Sequence, residues 1–227
     1  PEYINDEERK MLPLMITGLL DGLYATEFYQ NIVEFDMQIL VFLQETIRND
    51  FLNPIMRIIT KLGDGGVFWI LLTVVFLIIP KTRKLGICSA FSLLLSVIIC
   101  NVVLKNLFGR IRPYDYFAGI VYLLDGIKEA TDPSFPSGHT SSSFAAALSI
   151  FLASTKKQKL FTVWLLILAA LISFSRLYIG IHYPTDVFAS MALSIGLAFL
   201  GTFLGKKLYD YFSEKEKTKK FFPKYDS

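Results

Sequence analysis

Histidine is almost absent from this sequence: there are two in 227 residues, His139 and His182. Cysteine is equally scarce. Cys88 and Cys100 share one apolar run, too far apart along a helix to bond to each other, so they indicate nothing about redox compartment. Charge is sparse at 19% and collects in short segments between long uncharged runs, unlike the interspersed charge of a soluble helix surface. No DNA-binding pattern and no internal repeat is visible, so nucleic acid is not an expected partner. The first ten residues, PEYINDEERK, lack the basic start and apolar stretch of a cleavable signal, and insertion is expected to be directed by the apolar runs themselves.

Apolar side chains are abundant instead. A hydrophobic content of 53% and a mean hydropathy of +0.47 exceed what a soluble domain of this size would bury, which favours one polytopic membrane domain over a bundle buried in a large soluble enzyme. Five runs are candidate spanning helices: Val67 to Pro80, Leu85 to Leu104, Thr140 to Thr155, Leu160 to Ser175, and Val187 to Gly205. Only the second and fifth reach the ~18 to 20 residues that cross a bilayer unaided. The first can borrow Leu62 to Gly66, the third can start at Ser137, and the fourth can continue through Tyr178. Basic residues between the runs set orientation, because short Lys- and Arg-rich loops stay cytoplasmic. Lys81, Arg83 and Lys84, then Lys156, Lys157 and Lys159, then Lys206, Lys207 and a basic tail (209–227) are expected inside. The segments Lys105 to His139 and Arg176 to Asp186 are thereby placed outside.

Residues 1–63 read as amphipathic helices at the interface, with a sixth spanning helix as the alternative. Residues 64–208 form the expected transmembrane domain, entered through a Gly-Asp-Gly-Gly turn in which Asp64 reads as a helix cap. The expected fold class is all-α: a polytopic membrane helical bundle of five or six transmembrane helices with interfacial N-terminal helices.

Both outer segments concentrate unusual polar residues. Lys105 and Arg112 lie seven residues apart, so they share one face if a helix persists to the end that Pro113 marks. They suit a dianionic phosphate, or else they snorkel to lipid headgroups. In Pro136-Ser137-Gly138-His139, Ser137 is a natural N-cap and Gly138 permits close backbone approach. The free amides of the helix start make an anion site with His139 at its mouth, although capping alone also explains the Ser. In the third segment Gly180 supplies a bend after Ser175-Arg176, and Pro184 suits a first helical turn. Asp186 then either orients the ring of His182 or merely caps the helix. Three cations, two histidines and one carboxylate on one membrane side describe phosphoryl transfer with a histidine nucleophile and a histidine acid. A metal site is disfavoured, because the outer segments offer no grouped Cys or carboxylates beside the histidines.

Together the three motifs, Lys-x6-Arg-Pro, Pro-Ser-Gly-His and Ser-Arg-x5-His-x3-Asp, resemble the type 2 phosphatidic acid phosphatase superfamily, from Lys105 to Asp186. The resemblance implies a helical bundle with its active site at the extracytoplasmic face of the cell membrane, and no metal or other cofactor. It implies His182 as the nucleophile that forms a phosphohistidine, held by Asp186. His139 becomes the general acid, and Lys105, Arg112, Ser137, Gly138 and Arg176 hold the phosphate oxygens. The expected partners are membrane lipids and a lipid phosphate substrate: phosphatidate, phosphatidylglycerol phosphate or undecaprenyl diphosphate. Tyr114, Tyr116, Phe117 and Tyr122 either line the lipid entrance or form an interfacial aromatic belt. The alternatives are a phosphotransferase working through the same phosphohistidine and a non-catalytic lipid-phosphate binding or transport protein. The absence of Asp, Glu, Lys, Arg and His from the five runs weighs against transport. Soluble vanadium haloperoxidases share a similar constellation, but the lysine-bounded apolar runs disfavour them. No motif speaks to oligomeric state.

Overall fold

The computed structural model describes residues 21–24, 26–117, 127, 130–215 and 222; residues 1–20, Tyr122 and most of the C-terminal tail lie outside them. Seven helices carry the site: α1 (Glu27–Phe42), α2 (Leu52–Leu62), α3 (Val67–Ile78), α4 (Arg83–Ser96), α5 (Gly138–Ala153), α6 (Lys156–Tyr178) and α7 (Pro184–Glu214). Beyond Ser96, α4 continues through a π-helical stretch, Val97–Leu104, into Lys105–Phe108. Among the described residues three helical stretches are long and apolar enough to cross a membrane: Pro80–Tyr116, Lys156–Tyr178 and Pro184–Glu214. The pair Leu52–Leu62 and Asp64–Ile78, bent by 44°, makes a fourth if it is one broken span. The expected straight extension of the first run through Gly66 does not form, because Gly65 and Gly66 adopt left-handed φ of 58° and 67° and turn the chain. Continuation of the fourth run through Tyr178 does occur.

The central helix is α5, which packs against α4, α6 and α7. It is only 16 residues long, about 24 Å of rise, and its neighbours cover it. Ala145, Ala146, Ala147 and Ile150 are fully buried, and the small side chains let the flanking helices approach. Between α4 and α7 the approach is closer still: a β-carbon on Gly201 would meet the Ser92 backbone nitrogen at 2.6 Å, and one on Gly205 would meet the Cys88 α-carbon at 2.7 Å. Two pairs of polar side chains within the bundle join across helices, where water is scarce. Trp69 Nε1 donates to Ser143 Oγ at 2.8 Å, and the Thr73 and Ser89 hydroxyls are 2.6 Å apart. The outer surface is apolar, with Phe161, Trp164, Phe188, Phe199 and Phe203 exposed.

The lysine-bearing ends of the helices come together. Lys84 Nζ lies 3.7 Å from Asp210 Oδ1, and Lys206 Nζ donates to the Leu152 carbonyl at 3.2 Å. The three motifs converge elsewhere, around the head of α5 and the α6–α7 connection. Helix α1 closes the bundle beside that connection. Its buried Val33, Met37 and Leu40 share a cluster with Phe117, Leu177, Tyr183 and Val187.

Candidate active site

His182 sits in the connection between α6 and α7. Gly180, at φ 76°, bends the chain as the sequence suggests, and Pro184 opens α7 with its fixed φ. The ring is 2% exposed, and both nitrogens are engaged. Nδ1 lies 3.4 Å from Asp186 Oδ2 and 3.5 Å from Ser134 Oγ, while Nε2 lies 3.5 Å from Arg112 Nη1. A guanidinium can only donate, so this contact requires Nε2 to be the acceptor and leaves the proton on Nδ1, facing the carboxylate. Burial holds the imidazole pKa down to about 3, against the opposing effect of its hydrogen bond to Asp186, with the Arg112 charge adding to the depression. The ring is therefore neutral at physiological pH. Asp186 performs both tasks weighed for it, since Oδ2 also accepts the Tyr183 backbone N–H at 3.0 Å.

Lys105 and Arg112 do not share a helix face. The helix stops at Phe108, where Gly109 turns left-handed at φ 57°. Arg112 is extended, and Pro113 begins a new short helix, Pro113–Tyr116, instead of ending one. The two cations meet through Asp132: Lys105 Nζ donates to one carboxylate oxygen, and Arg112 Nη2 donates to the other at 2.8 Å. Arg112 is pinned further by the carbonyls of Asp132 at 2.8 Å and Ile181 at 2.9 Å. Burial would raise the Asp132 pKa, but Lys105 and Arg112 outweigh it and hold the carboxyl down at about 2. The third cation, Arg176, is buried and donates through Nη1 to Thr60 Oγ1 at 2.5 Å, while its Nε has no partner among the described residues. The charges of Lys105 and Arg112 act on each other and on Arg176, so the three cations lie within electrostatic reach.

At the head of α5, Ser137 accepts the Thr140 N–H at 3.4 Å and the Thr140 hydroxyl at 3.1 Å, as an N-cap does. Its own N–H donates to Ser190 Oγ at 2.8 Å, so that amide is not free for an anion. A β-carbon on Gly138 would lie 3.0 Å from Asn101 Oδ1, so the glycine accommodates this amide. His139 is more open than His182, at 16% against 2% side-chain exposure, and its Nε2 lies 2.9 Å from Asp64 Oδ1. Asp64 therefore does not cap the following helix, as its turn-like surroundings suggest; its carboxylate is turned to the imidazole.

The sequence reading did not single out Asp132, Ser134, Asp36 or Arg110. Ser134 Oγ donates to Asp186 Oδ2, and its N–H donates to the Arg110 carbonyl at 2.7 Å. The signal available for Ser134 was its position just ahead of Pro136-Ser137-Gly138-His139. Among the described residues no group of three or more His, Cys, Asp or Glu side chains is arranged to hold a metal ion.

The arrangement offers an unprotonated nitrogen beside a buried guanidinium, with a second histidine paired to a carboxylate across the same cation cluster. Known proteins similar to this chain include phosphatases by name. The PAP2 superfamily model matches residues 85–209. An undecaprenyl-diphosphatase of Sulfolobus acidocaldarius is 36% identical over 66% of this chain and 68% of its own length. A lipid A 4'-phosphatase of Bacteroides thetaiotaomicron is 28% identical over 77% and 79% respectively. The crystal structure of a transmembrane PAP2 type phosphatidylglycerolphosphate phosphatase from Bacillus subtilis superposes with a TM-score of 0.62, at 25% identity, covering 87% of this chain and 94% of that one.

Proposed function

The chain belongs to the PAP2 superfamily, and from that premise we propose that it is an integral membrane phosphatase hydrolysing the phosphate monoester or diphosphate of a lipid through a phosphohistidine on His182. The observation that carries the mechanism is the placing of the His182 ring, with Nδ1 3.4 Å from Asp186 Oδ2 and Nε2 3.5 Å from Arg112 Nη1, from which we infer a proton on Nδ1 and a lone pair on Nε2. Nε2 attacks phosphorus, and the bond from phosphorus to the lipid oxygen breaks. Burial holds the His139 pKa down to about 4 against the raising effect of its hydrogen bond to Asp64, so the ring takes up a proton as the phosphate anion binds beside it and delivers that proton to the leaving oxygen. Asp186 stabilises the positive charge that develops on the ring. Lys105, Arg112 and Arg176, together with Ser137 and Gly138, hold the phosphate oxygens and spread the charge of the transition state. Water activated by the now neutral His139 then hydrolyses the phosphohistidine, returning His182 and releasing phosphate.

The substrate class follows from the apolar exterior and from the relatives, whose names cover undecaprenyl diphosphate, phosphatidylglycerol phosphate and lipid A. Undecaprenyl diphosphate, phosphatidylglycerol phosphate and phosphatidate are the substrates to test. Lysine distribution supports an active site on the extracytoplasmic side of the plasma membrane. Helix α1 suits an interfacial position, since Phe28, Phe35 and Phe42 are exposed along one stripe while its other face is buried. The test is phosphate release from these three lipids with chelator present, comparing the native protein with His182→Ala. Release lost in the variant supports the reading; release unchanged by the substitution refutes it.

A further inference from the structure

A second buried charge network lies behind Asp186. Arg110, the arginine inside the Lys-x6-Arg segment and 5% exposed, places Nη1 2.5 Å from Asp186 Oδ1 and Nη2 2.9 Å from Asp36 Oδ2. Asp36 belongs to α1, outside the segment matched by the family model, and both it and Asp186 are fully buried. Thr185 ties Asp36 to Arg110: its N–H donates to Asp36 Oδ1 at 2.9 Å, its hydroxyl donates to Asp36 Oδ2, and that hydroxyl accepts from Arg110 Nη1 at 2.8 Å. Arg110 Nε donates to the Tyr29 hydroxyl at 3.0 Å, and the guanidinium lies 3.9 Å from the Tyr183 ring centroid.

We propose that Asp36 and Arg110 are positioning residues for the reaction, acting through Asp186 to fix the tautomer and charge environment of His182. This inference rests on the phosphohistidine reading above. Arg110 occupies Oδ1 of Asp186 and thereby turns Oδ2 to His182. Left alone, the guanidinium would cancel the charge that Asp186 offers the ring. Asp36 neutralises Arg110 in turn, so the three groups leave one net negative charge beside Nδ1. The other groups facing His182 are Arg112, Arg176 and Ser134, none of them anionic. In a buried setting such balance matters, because an unpaired charge there is poorly screened.

The chain has only two histidines, so 15N-histidine NMR of detergent-solubilised protein resolves the His182 ring without turnover. The native protein is expected to show His182 as the single Nδ1–H tautomer at neutral pH. Arg110→Gln leaves two uncompensated carboxylates, and its spectrum should show protonated His182. In Asp36→Asn the Nε2–H tautomer should appear and kcat should fall roughly tenfold, the factor of one pKa unit, with KM nearly unchanged. Thr185→Val, which removes no charge, carries the same tautomer test where a charge variant does not yield folded protein. A native His182 spectrum in folded Asp36→Asn and Arg110→Gln, or in Thr185→Val where it replaces them, overturns the proposal. Failure of the phosphatase reading would show instead as activity surviving His182→Ala.

Discussion

Gly63 and His139 are packed so closely that a β-carbon on the glycine would lie 2.4 Å from Cδ2 of the imidazole, and 2.8 Å from Cγ2 of Ile172. The glycine is in the right-handed helical region at φ −85°, so the backbone does not require it; the ring does. In Gly63→Ala the imidazole must shift, and its Asp64 contact must stretch. The expected outcome is a kcat roughly tenfold lower with little change in KM, and a stability loss of ~1–3 kcal/mol from overpacking. Steady-state kinetics together with thermal melting check both.

Asp64→Asn isolates the proton-transfer role of His139. Burial already lowers the His139 pKa to about 4, and an amide opposes that depression less than the carboxylate does, so the protonated acid is depleted further. Hydrolysis of a lipid phosphate, whose alkoxide leaves poorly, should slow by about a hundredfold, the lower end of what general acid catalysis contributes. An aryl phosphate with a nitrophenolate leaving group needs no proton and should be slowed far less. Equal losses on the two substrates would remove His139 from the acid role.

Asp132 occupies the cation pair that a phosphate would need. Its carboxyl is held down at about 2, so it stays ionised throughout the physiological range and must be displaced by the incoming anion. Asp132→Asn should tighten inhibition by inorganic phosphate or vanadate. With the carboxylate side chain 51% exposed, solvent screening limits the gain to severalfold, on the order of 1 kcal/mol. Weaker inhibition would instead make Asp132 a support for Lys105 and Arg112.

His182 makes folding acid-sensitive. Its pKa in the folded protein is about 3, below the ~6.5 of an unfolded histidine, so the unfolded chain binds more protons between these values. The contribution is complete above pH 6.5 and is lost as pH falls towards 3. The melting temperature in detergent should therefore drop between pH 6.5 and 4.5, and the slope should be shallower in His182→Asn. Identical slopes would show that the ring is not buried neutral. Asp132, also depressed, acts lower, between about 3.8 and 2.

The helices and the motif residues were legible because their signals are local. Uncharged runs marked α3 to α7, and Gly180 and Pro184 announced the turn that presents His182. Residues whose meaning lies in a distant partner were not legible. Asp64 looks like a cap because Gly-Asp-Gly-Gly reads as a turn, yet its partner His139 lies 75 positions away. The shared face of Lys105 and Arg112 failed because Gly109 ends the helix, and the carboxylate that joins them sits in another segment. Asp36 falls within residues 1–63, which read as amphipathic interfacial helices, so nothing marked it as a buried charge. No periodicity could reveal that Arg110 neutralises it in the interior while Thr185 donates hydrogen bonds to it.

The most direct test of the central claim is rapid alkaline quench of the protein turning over a 32P-labelled lipid phosphate, followed by mapping of the labelled peptide. The account requires acid-labile, base-stable label on His182, with no label and no phosphate release in His182→Ala. Label on a residue other than His182, or phosphate release persisting in His182→Ala, would contradict it.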